Sequence, residues 1–258
     1  MTNTRAISYP VVLTPAELAF LLSLVGAQTL EGLEHEALFP ENAAVWESLF
    51  LQGRSELERD HWLIQVPGTA QHDLNEQLVT VIATMAAPRF VVVTTVDRPG
   101  LPRQSVTHYI STVVVEACFD GKQYQLVGLR STEVMLARLA NTIGLPQERA
   151  AGEEFELTAE QARRAVADPR TERLLAFGVP AGSAQAFESV LRSTRQRASA
   201  RITSMHYGEV KAVHRLQALV SNEDLAWLAI PEDDTRVHFS PASAADFAEA
   251  VHALIGTL

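Results

Sequence analysis

The residues that could do chemistry in this chain of 258 are its histidines, its one cysteine, its serines and its carboxylates, and their spacing assembles no reactive site. The eight histidines are scattered, and none falls at the spacing of a metal centre. His35-Glu36 lacks the second His of a zinc-binding protease helix. His72-Asp73 falls at a predicted helix start, where an Asp serves the orphan backbone N–H groups or the helix dipole. Asp60-His61 precedes Trp62 in a predicted loop. His108 lies mid-strand beside Tyr109; its ordinary role there is a buried, hydrogen-bonded core residue, and the alternative is one wall of a small-ligand or catalytic site. Cys118, the only cysteine, sits among β-formers as a small hydrophobe, which rules out a disulfide framework and a Cys-based metal site. No Ser lies in a nucleophile elbow, and none of the 13 glycines is clustered into a phosphate-binding loop. No pair of carboxylates can be placed on one face. The residues predict no catalytic group, no cofactor, no metal and no enzyme.

Three features suit recognition instead. The loop Asp97 to Ser105 carries Arg98, Leu101 and Arg103 beyond two predicted strands, and loops held on a rigid sheet are common binding elements, although a plain solvated turn has the same composition. Arg192, Arg195, Arg197 and Arg201 form a basic cluster in an acidic chain, suited to an acidic partner. Equally, they form a solvated helix face in which Glu188 pairs with Arg192 four residues on. Trp46 and Trp227 fall on predicted apolar faces, which leaves Trp62 as the one Trp open to an interface role.

The elements that must position these residues follow from periodicity. Val11-Val12-Leu13 is a short strand, and Thr14 with Glu17 fits a capping box that opens a helix closed by Gly26. A helix is predicted from Glu41 to Gln52, with Val45, Trp46, Leu49 and Phe50 inward and Gly53 as its stop. His61 to Gly68 reads as a connector. The clearest stripe, Leu74, Leu78, Val81, Ile82 and Met85, predicts a helix from His72 to Ala86. After Pro88 come three strands: Arg89 to Val96, a long one from Val106 to Phe119, and Gln123 to Leu129 after the hairpin signal Asp120-Gly121. A helix from Thr132 to Ile143 closes the half, with Val134, Met135, Leu139 and Ile143 toward the sheet.

Gly144 to Glu153 reads as a linker, and the order then recurs. Phe155-Glu156-Leu157 is a strand, and Thr158 with Gln161 is a second capping box opening a helix to Val166. Helices are predicted over Thr171 to Phe177 and Ala181 to Arg197, and strands over Arg201 to Tyr207, Val210 to Val220 and Leu225 to Ile230, with a short extra strand over Arg236 to Phe239. Ser240-Pro241 reads as the start of the last helix, with Pro at its first position. The pattern predicts an α+β domain of two related halves, residues 1–146 and 153–258, forming a quasi-twofold central antiparallel sheet flanked by helical bundles.

Composition bounds the partner. A formal net charge of −10 argues against a general nucleic-acid binder, which needs a basic footprint to neutralise phosphates. No apolar run approaches the roughly 20 residues that span a bilayer, and Met1 to Ser8 has no signal-peptide core, so a cytosolic protein is expected.

Val11-Val12-Leu13-Thr14 leading into a helix, the meander from Arg89 to Leu129, Leu157-Thr158, and Val237-His238-Phe239-Ser240-Pro241 before a terminal helix resemble the EspG family, secretion-associated proteins of type VII (ESX) systems in actinobacteria. The resemblance covers most of the chain. It implies a cytosolic chaperone or adaptor that binds helical PE–PPE secretion substrates and keeps them soluble for export; a monomer or homodimer is expected. It also implies that the loop matching Asp97 to Ser105 contacts the substrate. The alternatives are an EspG-like fold serving as another protein- or small-ligand-binding module, an enzyme with a site around His108 and Tyr109, or a self-associating protein using a sheet edge.

Overall fold

The structure, a computed structural model, describes residues 10–27, 29–33, 35–69 and 72–256; the N-terminal stretch Met1 to Ser8 and the side chain of His35 lie outside that description. The first half runs β1 (Val11–Leu13), α1 (Pro15–Leu24), α2 (His35–Leu38), α3 (Ala43–Arg59), β2 (Leu63–Gln65), β3 (His72–Leu74), α4 (Glu76–Ala86), β4 (Phe90–Asp97), β5 (Gln104–Ile110), β6 (Val114–Phe119), β7 (Tyr124–Leu129) and α5 (Thr132–Ile143). The second runs β8 (Phe155–Thr158), α6 (Ala159–Ala167), α7 (Thr171–Ala176), α8 (Ala181–Arg192), β9 (Thr194–His206), β10 (Glu209–Ser221), β11 (Ala226–Pro231), β12 (Arg236–Ala242) and α9 (Ala244–Gly256). Among the described residues ten strands form one antiparallel sheet in the order β1-β7-β6-β5-β4-β9-β10-β11-β12-β8, and β2 and β3 form a separate pair. Read inward from either edge the order is the same: the first strand of the half, then its last strand, then back through the meander. The α+β architecture expected from the sequence is the one observed.

By contacts the chain forms two compact units, Met1–Val92 with Val106–Thr132 and Met205–Val210, and Val93–Ser105 with Glu133–Ser204 and Lys211–Leu258. In the first, cross-strand partners put Val11, Leu13, Tyr124, Leu126, Ala117, Val115 and Tyr109 on one sheet face, and all are buried. α1 and α4 supply Leu18, Leu21, Leu22, Leu78, Val81, Ile82 and Met85 to this core. In the second unit Phe155, Phe187, Trp227 and Phe239 pack ring against ring, with centroids 5.1–5.4 Å apart. Leu157, Leu174, Val179, Val190 and Leu191 surround them. Each fully buried Leu or Phe contributes roughly 1.5–3 kcal/mol, so each cluster is a large stabilising term for its unit.

Both capping boxes form. Thr14 Oγ accepts from the Glu17 N–H at 3.2 Å, and the Thr14 N–H donates to Glu17 Oε2 at 2.7 Å. Thr158 and Gln161 reproduce the pair at 3.2 and 2.9 Å. The first box differs in being buried: Glu17 is 4% exposed, and the Thr14 hydroxyl also donates to Glu56 of α3 at 2.7 Å. Burial pushes the Glu17 carboxyl above its ordinary value of 4.5, against the pull of its bonds to Thr14. An acid with a raised pKa holds its proton longer in the folded than in the unfolded state. Stability therefore falls as pH rises from about 4.5 through the folded value. Glu17→Gln keeps the acceptor that Gln161 provides in the second box and removes the buried charge. It is expected to raise Tm at pH 7, with the difference from wild type shrinking below about pH 4.5 in a thermal series across pH.

Several expectations are corrected. α3 runs through Gly53 to Arg59 rather than stopping there, and Val45 is 52% exposed rather than inward. His72 and Asp73 lie on β3, and Asn75 caps α4 by accepting from the Gln77 N–H. The long strand Val106 to Phe119 is two, because the chain turns at Ser111-Thr112-Val113 and pairs β6 back on β5. Val134 faces outward. α8 ends at Arg192, and Thr194 begins a 13-residue strand while its hydroxyl donates to the Val190 carbonyl. Ser240 and Pro241 belong to β12. The pairing with β8 ends at Phe239, so the missing Pro241 N–H costs no ladder bond there. Ser243 caps α9 instead, its hydroxyl accepting from Asp246 N–H while Asp246 Oδ2 accepts from the Ser243 N–H.

Candidate functional site

The loop from β4 to β5 is built to hold one shape. The Leu101 N–H donates to the Arg98 carbonyl at 3.1 Å, with Pro99 and Gly100 between them. Gly100 has φ +77°, the signature of a type II turn, in which Pro pre-sets the first central residue and Gly takes the left-handed second. A side chain at Gly100 would meet open space, so backbone conformation is what demands glycine there. Pro102 then restrains Leu101 to extended backbone. Arg103 Nε lies 3.2 Å from Asp97 Oδ1 and ties the loop's two ends. Leu101 is left 60% exposed at the tip.

Arg98 does not project from this loop but folds back. Its Nε donates to Gln196 Oε1 at 2.8 Å, Nη1 to Gln104 Oε1 at 3.2 Å and Nη2 to the Thr142 carbonyl at 2.8 Å. Thr142 lies in the last turn of α5, which has no basic residue of its own there. The final carbonyls of a helix lack intrahelical donors and carry the negative end of its dipole. Gln196 Nε2 donates to Thr142 O at 3.0 Å and also to Ile143 O, and Arg195 Nη2 reaches Gly144 O at 3.4 Å. The end of α5 is thus capped by side chains from the loop and from β9. Gln196 is 5% exposed and is not among the residues that the sequence singles out. The signal was available, since Gln196 shares the inward phase of β9 with Ala198, Ala200 and Ile202, and an amide on that phase needs buried partners.

The basic cluster is divided between elements. Arg192 ends α8 with its Nε 2.7 Å from Glu188 Oε1, while Arg195, Arg197 and Arg201 lie on β9. Glu188 also accepts from the Thr171 hydroxyl and N–H, and these bonds, the hydroxyl's first, hold its carboxyl below the ordinary range. Arg195 lies 2.6 Å from Asp224. Trp227 is fully buried, and Trp46 and Trp62 are half-buried.

His108 and Tyr109 alternate across β5. His108 is fully buried with Nε2 3.1 Å from Glu116 Oε2, and the Tyr109 hydroxyl donates to the Glu31 carbonyl at 2.8 Å. Burial pushes that phenol well above its usual value. A depression of about 280 Å³ in the first unit is lined by Gln77, Val81, Val115, Gly128, Leu129 and Arg130 among others, and neither His108 nor Tyr109 borders it. Among the described residues, ligand atoms of Glu156, Glu232 and His238 lie within 4.8 Å of one another. The Arg236 guanidinium stands 3.6 Å from Glu156 and 3.8 Å from Glu232, so a cation of the protein's own already serves these carboxylates.

No family model matches the chain, and no curated protein does. Among solved structures it is similar to the Mycobacterium tuberculosis type VII secretion system chaperone EspG5, determined in complex with the PE25–PPE41 dimer, with 13% identity, 96% of each chain covered and a TM-score of 0.68. The chain has the EspG fold. At that identity the likeness to EspG5 is one of backbone, carried by a sheet order and helix placement that quite different side chains support. Coverage of 96% of both chains excludes a chance match to one meander. Among the described residues no helix is long and apolar enough to cross a membrane.

Proposed function

We propose that this chain is a cytosolic, non-enzymatic chaperone or adaptor that binds a helical protein of the PE–PPE kind and keeps it soluble for type VII export. The observation carrying the proposal is the full-length likeness to EspG5, a chaperone whose structure includes a PE–PPE dimer. The loop with Leu101 at its tip supports it, since a preformed apolar tip loses little entropy on docking. Leu101 and Arg103 are the proposed partner-facing residues of that loop, with Arg192 and Arg195 elsewhere on the same unit, and Arg98 is proposed to serve the same region from inside by holding the loop. Residues 1–146 and 153–258 are proposed as related halves, on the strength of their matching element order. The test is co-expression with PE–PPE dimers from the source organism, followed by size-exclusion chromatography with mass measurement. A stoichiometric complex that keeps an otherwise insoluble dimer in solution is expected. Failure of every such dimer to co-purify would overturn the proposal.

A further inference from the structure

We propose that Arg98 is a positioning residue for the β4–β5 loop, holding Leu101 in place for a partner rather than meeting the partner itself. The inference deepens the chaperone reading and rests on it for the partner's identity, but its structural half stands alone. Arg98 spends all three of its guanidinium nitrogens inside the protein, on three different segments: Gln104 at the start of β5, Gln196 on β9 and the Thr142 carbonyl ending α5. Gln196 bonds the same carbonyl, so Arg98 and Gln196 share one anchor. A guanidinium fork satisfies such a divergent set, whereas an ammonium is a single point donor on a flexible stem. The local turn, fixed by Pro99 and Gly100, sets the shape of the tip; the Arg98 latch sets where that shape sits. What remains to meet a partner is the exposed Leu101, flanked by Arg103. An apolar side chain on a stapled turn fits a groove between two packed helices, where docking a preordered tip avoids the cost of ordering it.

Three variants of the full chain separate the roles. In hydrogen exchange on the protein alone, Arg98→Ala and Arg98→Lys are both expected to speed exchange of the loop amides about 10-fold, while Leu101→Asp leaves them at the wild-type rate. In binding to a co-expressed PE–PPE dimer, Leu101→Asp is expected to weaken the complex about 100-fold and Arg98→Ala about 10-fold, with Arg98→Lys no better than Ala. Full binding by Arg98→Lys would show that Arg98 contributes charge to the partner, and would overturn the proposal. Unchanged loop exchange in Arg98→Ala would overturn it independently of any partner. If the wild type binds no PE–PPE dimer while Arg98→Ala still loosens the loop, the chaperone reading fails and the latch survives.

Discussion

Gly53→Ala is expected to destabilise the protein by about 3 kcal/mol, enough to remove a large part of a typical domain's margin. A Cβ built on Gly53 lies 2.0 Å from the Ala16 carbonyl oxygen and 2.5 Å from its carbon, both backbone atoms of α1. Backbone cannot swing aside as a side chain can, so α1 and α3 would have to separate where Phe20 and Phe50 now pack at 4.6 Å and Thr14 bonds Glu56. The sign of the effect is diagnostic. In a helix with nothing against it, replacing Gly by Ala stabilises by about 1 kcal/mol. Denaturant midpoints of the two proteins decide: a higher midpoint for the Ala variant would mean that the helices do not cross at this residue.

His108→Ala should cost a comparable amount, about 3 kcal/mol, and should do so without altering partner binding per folded molecule. His108 is fully buried, and its Nδ1 has no hydrogen-bond partner, so the bond that matters is Nε2 to Glu116 at 3.1 Å. Removing the imidazole leaves a cavity and takes one hydrogen-bond partner from a carboxylate that is itself buried. His108→Gln, which keeps an N–H donor at about the reach of the imidazole Nε2 but without the ring, is expected to recover part of the loss in urea titrations. A stable His108→Ala protein that had lost affinity for a small molecule would instead revive the ligand-site reading of this residue.

These two residues also show what was legible in the sequence. Several elements are legible because their cause is local. Both capping boxes, the α4 stripe, the Asp120-Gly121 turn and the α5 limits depend on residues within one or two turns of each other. Gly53 reads as a helix stop because glycine after an amphipathic run usually is one; its actual cause, Ala16, lies far away in the chain. The arginines depart from the expected helix for a similar reason. Nothing between Ala181 and Arg197 breaks a helix, but Thr194 is drawn into the sheet and carries Arg195 and Gln196 with it. The candidate loop is legible from its prolines and glycine, whereas the inward turn of Arg98 depends on Thr142 and Gln196, which lie far from the loop in sequence. The division into four strands where three were expected came from a turn, Ser111-Thr112-Val113, that has neither glycine nor proline to announce it.

The sheet order has a consequence for how the chain is made. Each half begins with the strand that sits at an outer edge, and that strand's partner is the last of its half: Val11 pairs with Leu126, and Phe155 with Phe239. During synthesis the earliest strand must therefore wait, unpaired, until nearly its whole half has left the ribosome. Pairings this distant in sequence form slowly, and meanwhile the outer side of β7 or β12 stands open to any other strand that arrives first. The short strands β1 and β8 act as late seals, each followed at once by a capped helix that can form on its own timescale and bring the seal back to its edge.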